Sequence, residues 1–234
     1  MNLWEAQRQV YYGTIAGFVT PYKLGEYPGR ALLFRHTRHH WLTATCLGII
    51  GGYAMTTVVI VGGLPAVLEW LSPDGSMLWS IAVALMSALV AIFALPALMR
   101  RLQSRPWKSE QTRMLIDNMA GLTVKDVSVL IGLSLLRYTV FLGQLLLVLL
   151  FSGVVLDAET MLVVLPLYFL LITVTPAVPA AELAVRGAWA VVIFERFGAD
   201  VSAAAVIAAL LLWTINTILP LLVGTFVRLR SPRP

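Results

Sequence analysis

The sequence predicts an all-α, polytopic integral membrane protein, with about four full spans plus two broken or re-entrant helical hairpins in an inverted repeat. Three observations predict it. The 234 residues are 59% hydrophobic and 12% charged, with a mean hydropathy of +0.84, which is too apolar and too weakly charged for a water-soluble domain. Apolar stretches long enough to cross a hydrocarbon layer of about 30 Å recur along the chain. Basic residues gather in some connections and are missing from others, the pattern that orients a membrane protein. The formal net charge of +5 therefore reads as an orientation signal and not as a nucleic-acid footprint. The single cysteine, Cys46, excludes an intrachain disulfide and a Cys-rich metal site, and is expected to pack as a small apolar residue.

The elements follow in order. Met1 to Phe18 is helix-like, with a polar start (Glu5, Gln7, Arg8, Gln9) and an apolar finish. It lacks the basic region, apolar core and small-residue site of a cleavable signal peptide. The helix breaks at Pro21, and a second helical piece resumes near Gly25 and runs into the basic segment Arg35 to His40. Full spans are expected over Trp41 to Trp70, Leu78 to Met99, Val124 to Gly153 and Val201 to Val227. Thr160 to Thr175 and Ala180 to Phe194 fall short of the roughly 20 residues a crossing needs. Pro176 and Pro179 separate them, so they read as two half-helices meeting at a break. The pair either dips in and returns or crosses twice, and the short lengths favour the dip.

Lys and Arg cluster in Lys23 to Arg38, in Arg100 to Arg113 and at Arg228, Arg230 and Arg233. The connections holding Asp74 and holding Asp157 and Glu159 have no basic residue. The basic connections are thus assigned to the cytoplasmic side of the inner (plasma) membrane. The chain is one transmembrane domain, with halves of about 1–120 and 121–234.

Two segments share one order of parts. Val19 to Arg30 reads VTPYKLGEYPGR and Val174 to Arg186 reads VTPAVPAAELAVR, each with Val-Thr-Pro, a spacer, a Glu and an Arg four residues after it. Three crossings separate them, so they enter the membrane from opposite faces, as the halves of an inverted repeat do. A helix restarting after Pro21 or Pro176 leaves backbone N–H groups unpaired and a partial positive charge at the break, which favours an anion. Glu26 and Arg30, like Glu182 and Arg186, lie on one helix face, and an arginine fork fits a phosphate. The equal alternative is that each Glu only neutralises its own Arg and fixes the hairpin.

Arg137 falls near mid-bilayer, where an uncompensated charge costs several kcal/mol, so it needs a partner. Glu26 and Glu182 are the candidates, with Gln144 lining the same interior. A purely structural ion pair is the other reading. Asn216 suits interhelical hydrogen bonding better than ligand binding. His36, His39 and His40 sit among Arg35 and Arg38 and suit headgroup contact better than a metal. Arg100 to Arg113 is expected to be a solvated cytoplasmic loop. The glycines at 48, 51 and 52 and at 62 and 63 read as helix contacts. No glycine-rich phosphate loop, metal-ligand pair or Ser-His-Asp set is present, so neither an enzyme nor a cofactor nor a metal is expected.

At TPYKLGEYPGRALLFR and TPAVPAAELAVRGAWAVVIFERFG, the chain resembles the transmembrane-region family of lysylphosphatidylglycerol synthases, flippase-like membrane proteins. The likeness runs from about Ala16 to Arg228. The family's first motif, Pro-Gly, a small or basic residue, then Leu-Gly-Glu and an Arg, is matched by Pro21, Leu24, Gly25, Glu26 and Arg30. Its second motif has a Pro with a glycine pair and then Gly-Val-Arg-Glu. Here alanines stand for the glycines and Glu182 precedes Arg186. The resemblance implies lipid translocation or lipid handling, with an anionic, aminoacylated or glycosylated phospholipid as substrate. It also implies that the family's leading helices and a soluble aminoacyl-transferring domain are missing.

The expectation is therefore a protein that binds or moves an anionic lipid headgroup in a polar cavity lined by Glu26, Arg30, Arg137, Glu182 and Arg186. The alternative is a non-transporting membrane subunit or anchor that assists a separate lipid- or glycan-modifying enzyme. An enzyme acting within the bilayer ranks third, and homo-oligomerisation is left open.

Overall fold

The computed structural model describes residues 3–20, 25–31, 38–71, 77–175 and 177–230. Pro21, His36, Asp74, Pro176 and Arg233, which carry expectations above, lie outside the described residues, as do the side chains of His39 and His40. All regular structure among the described residues is helical: α1 Leu3–Val19, α2 Glu26–Arg30, α3 Arg38–Leu71, α4 Met77–Gln103, α5 Glu110–Ala120, α6 Val124–Phe151, α7 Ala158–Val174, α8 Pro179–Phe194, α9 Ala199–Trp213 and α10 Leu219–Arg230. A 3-10 turn at Glu195–Phe197 follows α8, and a π-helical stretch at Thr214–Ile218 joins α9 to α10.

Three helical stretches among the described residues are long and apolar enough to cross a membrane: Ala44–Leu71, Val124–Phe151 and Ala199–Phe226. They coincide with three of the four expected spans. The fourth, Leu78 to Met99, falls within α4. Large apolar side chains stand open on the outside, with Phe151 88% and Leu162 75% exposed. Water would penalise such a surface at roughly 25 cal/mol per Å², whereas lipid solvates it.

Local signals explain where the helices begin. Thr123 and Asp126 form a capping box on α6: the Thr123 N–H donates to Asp126 Oδ2 at 2.9 Å, and the Asp126 N–H donates to Thr123 Oγ1 at 3.2 Å. Asp157 caps α7, accepting from the Thr160 N–H at 2.8 Å and from the Thr160 hydroxyl at 2.8 Å. Those two donors, the backbone N–H first, hold its carboxyl below the usual carboxylate range. Pro179 opens α8, where its missing N–H has no cost. Between α7 and α8, Thr175 and Val178 are extended, so the expected break is present. The helices on either side of it are 17 and 16 residues long, about 25 Å each. Part of the expected loop at Arg100 to Arg113 is helical, because α4 runs on to Gln103 and Ser109 caps α5.

Packing divides the helices into two groups that share α3, α6 and α9. In one, α7 lies on α3 and α8 lies on α9, around a dry core that includes Val58, Leu145, Tyr168, Phe194 and Ala208. In the other, neighbours run α3 to α2, α2 to α1 and α1 to α10, which returns through the π-helical stretch to α9 and so to α6. Small residues set these approaches: Gly63 faces Leu170 of α7, Gly62 faces Tyr138 of α6, and Gly224 of α10 faces Tyr11 of α1. Cys46 is buried in a second, smaller core with Ile50, Met99, Met119 and Val127.

Candidate functional site

The second group of helices holds a cavity of about 360 Å³, walled by α2, α3 and α6. From α2 come Glu26, Tyr27 and Arg30, and from α6 come Leu130, Leu133, Ser134 and Arg137. The α3 wall runs from Leu47 to Thr56 and includes Gly48, Gly51 and Gly52.

Local chemistry places α2 there. The Thr20 hydroxyl donates to the Ala16 carbonyl at 3.0 Å and accepts from the Gly25 N–H at 2.8 Å, tying the end of α1 to the start of α2. Gly13 and Gly29 let the two helices touch: the aliphatic stem of Arg30 lies on Gly13, and Ala16 lies on Gly29. Tyr27 then fits against α3 where Gly48 and Gly52 have no side chains. Gly51, between them, faces open space. The first Glu-Arg pair is thereby held with one edge in the cavity. Glu26 and Arg30 form an ion pair, each side chain 28% exposed.

Arg137 stands opposite. Its guanidinium lies 5.1 Å from the centre of the Phe141 ring and within the field of Arg30, Glu26 and Tyr27. Among the described residues it makes no ion pair. Among the described residues the cavity thus contains one carboxylate, already paired, and two guanidiniums. Its local charge is one positive unit, in a place where charge is costly without a counter-ion.

The second pair has different surroundings. Glu182 Oε1 accepts from Arg186 Nη2 at 2.8 Å and from Arg186 Nε at 3.3 Å. These side chains are only 14% and 19% exposed, and the fully buried Tyr168 lies beside them. The Trp189 indole N–H donates to Thr175 Oγ1 at 2.9 Å, and that hydroxyl donates to the Leu171 carbonyl at 2.7 Å, so α8 is fastened to the end of α7. A run of ring contacts connects the two regions. Tyr168 meets Phe169 edge-on, and Phe169 stacks on Phe141, the ring beneath Arg137.

Of the five expected site residues, the structure brings Glu26, Arg30 and Arg137 to one cavity, while Glu182 and Arg186 pair with each other away from it. The carboxylate near Arg137 is that of Glu26, one of the two expected candidates, although Glu26 is bonded to Arg30. Asn216 bridges helices as expected: its Nδ2 donates to Gln144 Oε1 at 3.1 Å. Sequence reasoning missed Tyr27, Ser134 and the open face at Gly51. Tyr27 adjoins Glu26 in the first motif, and Ser134 stands one helical turn before Arg137, so spacing from the charged residues was the signal available for both. No family model, curated protein or solved structure matches this chain.

Proposed function

We propose that this chain is a lipid-handling membrane protein that binds the anionic headgroup of a phospholipid at Arg137 and carries it between leaflets. The observation behind this reading is a guanidinium that, among the described residues, has no carboxylate partner, in the wall of a cavity whose other described charges, Glu26 and Arg30, already neutralise each other. A phosphodiester supplies one negative charge and oxygen acceptors, which balances that site and matches the arginine fork. The cavity wall on α6 covers about 10 Å of helix, ending near the middle of a 28-residue span. With the basic connections on the cytoplasmic side, the cavity reaches from the inner half of the membrane to its midplane. Its size suits a headgroup, since ligand sites commonly start at about 300 Å³.

On this reading the two Glu-Arg hairpins are the inverted halves of one transporter, and the resemblance to flippase-like proteins points the same way. Rocking of one helix group against the other would expose the site to each leaflet in turn. The test is translocation of fluorescent phosphatidylglycerol in proteoliposomes. Arg137→Gln is expected to abolish most of the movement, and Arg30→Ala to reduce it. Unchanged movement in both variants would remove the cavity from the proposal. Absence of movement by the wild-type chain, with co-purification of a lipid- or glycan-modifying enzyme, would favour the anchoring subunit instead.

A further inference from the structure

We infer that Gln144 and Asn216 form a second, weaker station for the same headgroup, farther along α6 than Arg137. This inference rests on the headgroup-transport reading above. The cavity wall on α6 is the stripe Leu130, Leu133, Ser134 and Arg137, the spacing of a single helix face. The same face continues through Phe141 to Gln144, seven residues beyond Arg137, which is about 10 Å along the axis.

Gln144 does not stand alone there. Asn216 reaches it from the π-helical stretch, and their hydrogen bond uses one donor and one acceptor. Among the described residues the remaining amide groups have no other partner. The pair keeps both N–H groups of Gln144 and one of Asn216 available for an anion. Asn216 is exposed and Gln144 is half-buried. In hydrocarbon, unpaired amides at that depth are costly, so this face is expected to meet polar matter. The π-helical widening is what presents Asn216, and such widenings recur at functional sites.

The two stations differ in strength. Arg137 offers a full charge, whereas the amide pair offers neutral donors that hold a phosphate less tightly and release it more readily. Phe141 lies between them, under the guanidinium of Arg137 and stacked on Phe169. A headgroup leaving Arg137 would have to pass this ring before reaching the amides.

The experiment compares Arg137→Gln with the double variant Gln144→Leu, Asn216→Leu, using fluorescent phosphatidylglycerol in phosphatidylcholine vesicles for transport. Binding of the same lipid to detergent-solubilised protein is measured in parallel. The double variant is expected to bind as the wild type does but to move lipid about tenfold more slowly, the loss of one or two hydrogen bonds to a charged group. Gln144→Asn, which keeps amide donors on α6, is expected to retain more transport than Gln144→Leu. Normal transport in the double variant, with Arg137→Gln defective, would overturn the second station and leave the cavity reading intact. Loss of binding as well as transport in the double variant would also overturn it, since the amides would then be interhelical glue. Normal binding and transport in every variant would overturn the headgroup reading itself.

Discussion

The two Glu-Arg pairs have the same spacing and follow the same Val-Thr-Pro sequence, the first spanning the five-residue α2 and the second starting in the first turn of the 16-residue α8. One has its edge in a cavity, and the other is pressed against a packed core. What lies opposite makes the difference. Glu26 and Arg30 share their cavity with the open position at Gly51 of α3 and with a second arginine, so space and positive charge remain. Glu182 and Arg186 lie beside Tyr168, which belongs to the buried core, and are only 14% and 19% exposed. The same four-residue Glu-Arg spacing thus borders an opening in one place and is packed in at the other. On the headgroup reading proposed above, the first pair is a ligand wall and the second a structural clasp.

The sharpest way to break this contrast is to remove the acids. Glu182→Ala strands Arg186 in a mostly buried place and is expected to cost about 3 kcal/mol of stability. Glu26→Ala leaves an arginine beside an open cavity, and about 1 kcal/mol or less is expected. Thermal unfolding in detergent distinguishes them, and equal losses would erase the distinction. Next, Arg137→Gln is expected to weaken anionic-lipid binding roughly thirtyfold, the worth of a charge-assisted fork, while unfolding stays near wild type. Arg186→Gln should show the opposite pattern, with stability reduced and binding kept.

A smaller effect is expected at Gly51. A Cβ added there meets nothing within 4 Å and points into the cavity space, so Gly51→Leu is expected to fold and to reduce lipid binding by about tenfold through occupied volume. Undiminished binding would mean that the headgroup does not use this part of the cavity. The smallest effect concerns the α7 cap. Because the Asp157 carboxyl is held below its unfolded value, the cap stabilises at neutral pH and is lost as pH falls through the lowered value. Asp157→Ala should therefore lower the melting temperature slightly at pH 7, with the gap from wild type closing in acid.

Much of the architecture was legible in the sequence because lipid imposes a simple rule on length and hydropathy. Three spans agree with expectation to within a few residues, and the extended stretch between α7 and α8 falls where Pro176 and Pro179 predict it. Glu26 and Arg30 were legible as a pair because four-residue spacing on a helix fixes their contact. The company each charged residue keeps was not legible. Whether Arg137 faces α2 or α8 depends on which helices lie beside α6, and no periodicity in one segment specifies that. Tyr27 escaped notice for a related reason. Its importance comes from two glycines on another helix, and pairing across some 20 residues leaves no local pattern. The helical ends of the Arg100 to Arg113 stretch were obscured because their polar composition resembles that of a loop, although Ser109 is a recognisable cap.

The seat of Tyr27 constrains how the cavity could open. Its ring fits into α3 where Gly48 and Gly52 leave room, so closely that any side chain at position 52 would collide with the phenol. A key in such a notch resists being dragged along the helix axis, because the same face of α3 carries side chains on either side of the two glycines, Thr45 before Gly48 and Met55 after Gly52. Tilting about the notch keeps the fit. If the cavity opens as proposed above, this fit favours a swing of α2 about a pivot on α3 over a piston-like slide, and replacing the phenol with a small side chain would free it to slip.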